Sequence, residues 1–238
     1  MIKIKNIGLS ILSIFLFPSC EDVIDLKLES IESRIVIEAT IDASNEIVTA
    51  KISKTNDFYE NRNPEQISSA TLTLINESGD TYTFSESSPG NYLATNVITN
   101  PGETFDLLVE IDGVIYHAST QVPSPVKLDT IIQADFPNGP FSNEGDILLT
   151  CVWEDPKSEE NFYRIRTYID DIFQSDSYMV LNDAFTGDGQ EIKASVAQGF
   201  YKNTRVVVEL LSISESYYDY FFQLSSLSGD RSGSPTPY

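Results

Sequence analysis

The chain has 238 residues, with 36 Asp+Glu against 15 Lys+Arg and a formal net charge of −21. A hydrophobic share of 41% with 11% aromatic residues is enough for packed cores and excludes global disorder. The acidity speaks against a nucleic-acid binder, whose phosphate contacts need Lys and Arg, and two cysteines with one histidine make neither a disulfide scaffold nor a His-rich metal site.

In chain order, residues 1–20 read MIKIKNIGLSILSIFLFPSC. Lys3 and Lys5 form a positive n-region, and Ile7 to Phe17 form an apolar run. Its length suits a secretory h-region and falls short of the roughly 20 residues a spanning helix needs. Cys20 follows after Pro18 and Ser19, and no A-x-A-like site comes later, before the folded region. This resembles a bacterial lipoprotein signal, although Phe17 and Pro18 are not the commonest residues before the cysteine. The resemblance makes 1–19 a signal peptide and Cys20 the lipidated first residue. Residues 20–33 then form an acidic tether that opens with Glu21, Asp22 and Asp25. With Cys20 acylated, Cys151 has no candidate disulfide partner.

From Arg34 onward, short alternating runs are separated by turn signals. Ile35, Ile37, Ala39 and Ile41 alternate with Arg34, Glu38, Thr40 and Asp42, the pattern of a half-buried strand. Further strands are predicted over 47–53, 68–76, 80–85, 91–95, 104–111 and 114–121. Glu77-Ser78-Gly79-Asp80 and Asp112-Gly113 mark sharp connections, and Asp-Gly between alternating runs is a strong hairpin signal. Short strands at this spacing predict an immunoglobulin-like β-sandwich over 34–122. The antibody Cys…Trp…Cys pattern is absent, so only the architecture is expected. Val122-Pro123-Ser124-Pro125-Val126 breaks the alternation, since alternate prolines continue neither a helix nor a central strand. Residues 123–127 are therefore read as a linker.

The second half, 128–228, predicts strands over 128–136, 145–154, 161–170, 176–181, 190–198 and 203–211. Pro137-Asn138-Gly139-Pro140 and Asp155-Pro156-Lys157-Ser158 read as turns. Cys151 shares a strand face with Ile147, Leu149 and Trp153, which places thiol and indole in a second core. Ser212-x-x-Glu215 has capping-box spacing. Ile213, Tyr217, Tyr220, Leu224 and Leu227 follow as one helical stripe, predicting an amphipathic helix near 213–227 that stops at Gly229. Residues 229–238 read as a tail. The fold class is all-β: two β-sandwich domains, the second with one C-terminal helix.

The usual catalytic motifs are missing: no G-x-S-x-G, H-E-x-x-H, P-loop or G-x-G-x-x-G. His117, the one base a Ser-His-Asp triad could use, lies inside a predicted strand. Carboxylates are abundant enough to offer a glycosidase-like pair by type. Glu154-Asp155, Glu159-Glu160 and Asp170-Asp171 fall at strand ends or turns, and Asp183…Asp188-Gly189 lies in a polar loop. Such loops carry oxygen ligands of the kind calcium takes, but no segment has EF-hand spacing. They read as solvated loop charge. Arg164 and Arg166 share a strand face and are expected to pair with the acidic excess. The reading expects no catalytic residue, cofactor or metal.

Several segments together resemble one known family. Cys20-Glu21-Asp22-Val23-Ile24-Asp25-Leu26 leads into Arg34-Ile35-Val36-Ile37-Glu38-Ala39. Thr81-Tyr82-Thr83 precedes Ser88-Pro89-Gly90-Asn91-Tyr92. Trp153-Glu154-Asp155-Pro156 is followed by Asn161-Phe162-Tyr163-Arg164 and then by Asn182-Asp183-Ala184-Phe185, Asp188-Gly189-Gln190-Glu191. Val208-Glu209-Leu210-Leu211-Ser212-Ile213-Ser214 precedes Tyr217-Tyr218-Asp219-Tyr220. Their order and spacing resemble the Bacteroidetes lipoprotein family catalogued as domain of unknown function 4249, across nearly all of the mature chain. The resemblance implies an outer-membrane lipoprotein, surface-exposed or periplasmic, often encoded beside a TonB-dependent transporter, and it brings no catalytic residues. The acids after Cys20 resemble the surface-export signal of such lipoproteins. The resemblance also implies a Gly-rich terminal strand after the Pro-containing tail, which this chain ends before, so an open edge is expected in the second domain.

Three functions follow as expectations. The first is a non-catalytic binding or accessory module, membrane-bound through acylated Cys20 and working alongside a TonB-dependent transporter. The second is a carboxylate-dependent hydrolase of glycan or peptide. The third is a structural or adhesive surface lipoprotein whose sandwiches act as spacers. Fold alone does not separate them.

Overall fold

Period-two alternation of apolar and polar side chains drives most of the described residues into strands, and the outcome is all-β, with one α-helix among them. The computed structural model describes residues 32–56, 62–135, 147–157, 159–174, 179–185, 188–196 and 199–229. The signal segment, Cys20, the turn at 137–140 and the tail after Gly229 lie outside the described residues.

The first unit runs β1 (Ile35–Asp42), β2 (Ile47–Lys54), β3 (Thr71–Asn76), β4 (Thr81–Thr83), β5 (Ser85–Ser88), β6 (Asn91–Thr95), β7 (Thr104–Ile111) and β8 (Val114–Gln121). Two antiparallel sheets form, ordered β1-β2-β6-β5 and β4-β3-β7-β8. Lettered A, B, C, C′, D, E, F, G in chain order, these are A-B-E-D and C′-C-F-G, an immunoglobulin-like arrangement. Val48, Ala50 and Ile52 of β2 and Tyr92 and Ala94 of β6 pack with Leu72 and Leu74 of β3 and with Phe105, Leu107, Val109 and Ile111 of β7. The buried Tyr92 hydroxyl is satisfied twice, donating to the Ile67 carbonyl at 2.9 Å and accepting from the Ala70 N–H at 3.0 Å. The run predicted over 80–85 divides at Phe84. β4 stays in one sheet, β5 crosses to the other, and Phe84 packs on the core between them. The Asp112-Gly113 turn has positive φ at both residues, 51° and 79°, as a type I′ hairpin requires. Gly90 has a positive φ of 72° and a second requirement besides: a Cβ there would sit 2.7 Å from the Ile52 carbonyl oxygen.

The second unit runs β9 (Thr130–Asp135), β10 (Ile147–Glu154), β11 (Phe162–Ile169), β12 (Ile172–Phe173), β13 (Val180–Asn182), a 3-10 turn (Asp183–Phe185), β14 (Glu191–Ser195), β15 (Val206–Ile213) and α1 (Glu215–Gly229). One sheet is β14-β10-β9. In the other, β11 pairs with β15 along one edge and with β12 and β13 in succession along the other. The order A-B-E and C′-C-F of the first unit is thus repeated, with no repeat visible in the sequence. Leu149, Cys151, Trp153, Tyr163, Ile165, Ile192, Ala194, Val196 and Phe200 make its core. Trp153 and Cys151 are fully buried, and the indole meets the Tyr163 ring edge-on at 5.2 Å. Val122 closes the first core, whereas Val126 packs on the second, its N–H donating to Ser212 Oγ at 3.2 Å.

The run predicted over 161–170 is β11, and Asp170-Asp171, read as a strand end or turn, makes a tight hairpin to β12 with positive φ at both residues, 48° and 65°. Aspartate tolerates that region, its short side chain bonding locally. One local expectation changes. The helix predicted near 213–227 begins later, at Glu215. Ser212 and Ile213 remain in β15, opposite Tyr163 and Phe162. Ser214 caps instead, its carbonyl accepting from the Tyr218 N–H at 2.9 Å. Cross-strand pairing with β11 holds Ser212 extended, so its capping-box spacing does not operate. The buried face shifts with the start: Tyr218 is buried and Tyr217 half-buried, while Tyr220 of the predicted stripe is exposed.

Candidate functional site

Asp106 and His117 are diagonal neighbours on the outer face of β7 and β8, where Asp106 pairs with Ser119 and Leu108 with His117. His117 Nε2 lies 2.9 Å from Asp106 Oδ1, with both side chains about half exposed. The bond from His117, then one from Ser119, holds the Asp106 carboxyl below its ordinary range. Ser119 therefore serves the aspartate, and its other contact is the Phe105 carbonyl. A nucleophilic serine would instead face the imidazole. Three triad residue types meet here in an order that activates no hydroxyl.

The acidic loops of the second unit make a buried polar hub. Asp155 and Asp183 are 5% and 6% exposed, which corrects the expectation of solvated loop charge at these two positions. Asp155 accepts from the Tyr163 hydroxyl at 2.5 Å and from the Gly189 N–H at 3.0 Å. Its own N–H donates to the Gln190 carbonyl. Asp183 accepts from the Asn161 N–H at 3.2 Å and donates its own N–H to the Asn161 carbonyl. Burial, then the bond to Asp155, pushes the Tyr163 phenol above its ordinary range. The carboxylates thus tie β10, β11 and the 188–190 turn together. Hydrogen bonds compensate their desolvation, as buried charge requires. Sequence reading missed this because a carboxylate after a strand resembles any loop acid; Tyr163, inward-facing and polar at its tip, was the available signal. Glu154, Glu159, Glu160 and Asp188 are exposed. Asp171 pairs with Arg205 at 2.5 Å beside the Asp170-Asp171 turn. Among the described residues no group of three or more His, Cys, Asp or Glu gathers around a point where a metal ion could sit.

Cys151 lies in the second core, and burial raises its thiol pKa, the reverse of what a nucleophile needs. Arg164 and Arg166 project with Phe162 and Tyr168 from the outer face of β11, the face on which α1 packs. Arg164 is 4% exposed. Its Nη1 donates to the Tyr217 hydroxyl at 2.5 Å, and its guanidinium carbon lies 3.7 Å from the Phe221 ring centroid. Arg166 Nη2 reaches the same hydroxyl at 3.4 Å. Neither arginine makes the expected ion pair with an acid among the described residues, although the charge of Glu209 favours the Arg166 guanidinium from a longer range. Arg166 faces Glu209 across the strands, yet the Glu209 carboxylate is taken by the Tyr168 hydroxyl at 3.0 Å.

The family profile described as domain of unknown function 4249 matches residues 21–237. The chain belongs to this family. No curated protein matches the chain. The match spans both sandwiches, with the hub of the second. No helix among the described residues is long and apolar enough to cross a membrane.

Proposed function

We propose that this chain is a non-catalytic binding or accessory module, held at the outer membrane by lipid on Cys20 and working beside a TonB-dependent transporter. One observation carries the non-catalytic part. Asp155 and Asp183, the buried carboxylates best placed for acid–base chemistry, accept from donors of the fold itself: the Tyr163 hydroxyl and Gly189 N–H for Asp155, and the Asn161 N–H for Asp183. A general acid or base must reach a substrate proton, and these two point into the fold. The anchor rests on the apolar run ending at Phe17 and the adjacent Cys20. A single acyl chain binds membranes only marginally, so stable retention needs several chains.

The test has two arms. Cys20→Ala should abolish fatty-acid labelling and release the protein from membranes, and continued sedimentation of an unlabelled variant would sink the anchor. Native outer membranes solubilised around the wild-type protein should yield a stoichiometric transporter. Turnover of a glycan or peptide that disappears in Asp155→Asn, with folding intact, would establish the hydrolase instead.

A further inference from the structure

The arginines on the outer face of β11 are an electrostatic anomaly. The chain has more than twice as many acids as bases, yet two arginines stand side by side on one strand, at alternate positions that face the same way. Among the described residues neither has a carboxylate within the 4.0 Å of an ion pair. Both aim at one phenolic oxygen, that of Tyr217. The Nε atoms of Arg164 and Arg166 are both buried without an acceptor. Guanidinium carries donors only, in a planar fork; Tyr168 and Glu209 also act on Arg166, yet the Nε of each arginine still lacks an acceptor. Most buried polar groups in folded proteins are partnered, and an unpartnered one calls for an ion, water or ligand; these two are distinguished from Trp153 Nε1 and Thr167 Oγ1, also unpartnered, by carrying charge side by side. Phe221 and Tyr217, 4.7 Å apart, wall the Arg164 side. Arg166 and Tyr217 are only half-buried, so approach is from the Arg166 end.

We propose that Arg164 and Arg166 form an oxyanion-binding site, taking the carboxylate or phosphate group of a ligand against the two guanidinium forks with the α1 aromatics beside it. Planar bidentate recognition is what adjacent arginines do best with either group. Glu209 is the one acid in cross-strand register with the site, and the Tyr168 hydroxyl holds its carboxylate. The site belongs to the second unit alone and stands independently of the membrane anchor and of the transporter.

The probes are inorganic phosphate and benzoate, each titrated calorimetrically into the purified protein against sodium chloride of equal ionic strength. Saturable binding of one or both is expected, weakened at least tenfold in Arg166→Gln. Phosphate alone binding would assign a phosphate ligand, and benzoate alone a carboxylate with a flat apolar body. If Arg166→Gln lacks the native emission of Trp153, Arg166→Lys replaces it; it keeps the charge, loses the fork and should still bind several-fold more weakly. Two results overturn the site: neither probe binding above chloride, or binding undiminished in the folded variant, which would mark an adventitious ion elsewhere.

Discussion

The two sandwiches share a strand order and finish it differently. In the first, β7 lies between β3 and β8, and its inward residues Phe105, Leu107, Val109 and Ile111 are all buried. In the second, β15 holds the matching place but pairs with β11 alone among the described residues, and Val206, Val208 and Leu210 are only partly buried against the core. After β7 the chain turns back as β8; after β15 it becomes α1, which covers the outer face of β11. The outer faces differ to match. Asp106, His117 and Ser119 lie in water on the first, whereas Arg164, Tyr217 and Phe221 stack on the second. A shared strand order thus fixes where the cores are and leaves the outer face free to specialise. Among the described residues β15 is thereby left an edge strand where β7 is a central one, and an edge pairs readily with another strand.

The sharpest way to break this comparison is to empty each core in turn. Trp153→Ala and Phe105→Ala should each cost about 3–5 kcal/mol in their own unit. Because the two clusters share no residue, Phe105→Ala should leave the denaturant curve followed by Trp153 emission in place. A shift of that curve as large as the loss in the first unit would show one cooperative core.

Next come the matched strands. Leu107→Ala on the enclosed β7 should cost about 2–5 kcal/mol. Leu210→Ala on β15 should cost roughly half as much, because less area leaves water there. Urea midpoints at constant m-value measure both. Equal losses would mean that the open edge of β15 is covered in solution.

The hub of the second unit has no counterpart in the first. Tyr163→Phe removes one donor from buried Asp155 and should cost about 1–3 kcal/mol. Chemical denaturation at neutral pH measures it, and a neutral outcome would show that water replaces the phenol.

The smallest effect belongs to the solvent-facing pair of the first unit. The His117 bond, then Ser119, lowers the Asp106 pKa below its ordinary 3.8. A depressed carboxylate pKa stabilises the fold above the unfolded value, and that contribution is lost as pH falls through the folded one. It should therefore fade below about pH 4. His117→Ala should raise the Asp106 midpoint toward the ordinary value, read by carboxyl-carbon NMR. An unmoved midpoint would assign the shift to Ser119.

Much of this was legible before any coordinates. The runs over 47–53, 91–95, 104–111 and 114–121 match β2, β6, β7 and β8 closely, because their alternation reports one buried face directly. Asp112-Gly113 announced its turn for the reason it makes one: both positions need positive φ. Asp170-Asp171 makes a turn of the same φ signs, but its sequence marked only a strand end or turn, since Asp-Asp is permissive rather than diagnostic of the type. Ser212 misled because capping spacing is local, while its pairing with Tyr163 is set by a strand some fifty residues away.

By itself the sequence determined the all-β class, the apolar faces of most strands and the burial of Trp153 and Cys151. Those are properties of neighbours in the chain, written in period, turn chemistry and length. Only the tertiary structure decided that the second half repeats the strand order of the first, that Asp155 and Asp183 are buried structural acceptors, and that Arg164 and Arg166 converge on Tyr217. Such arrangements join residues from different elements, and a titratable side chain takes its role from whichever partners the folded chain brings to it.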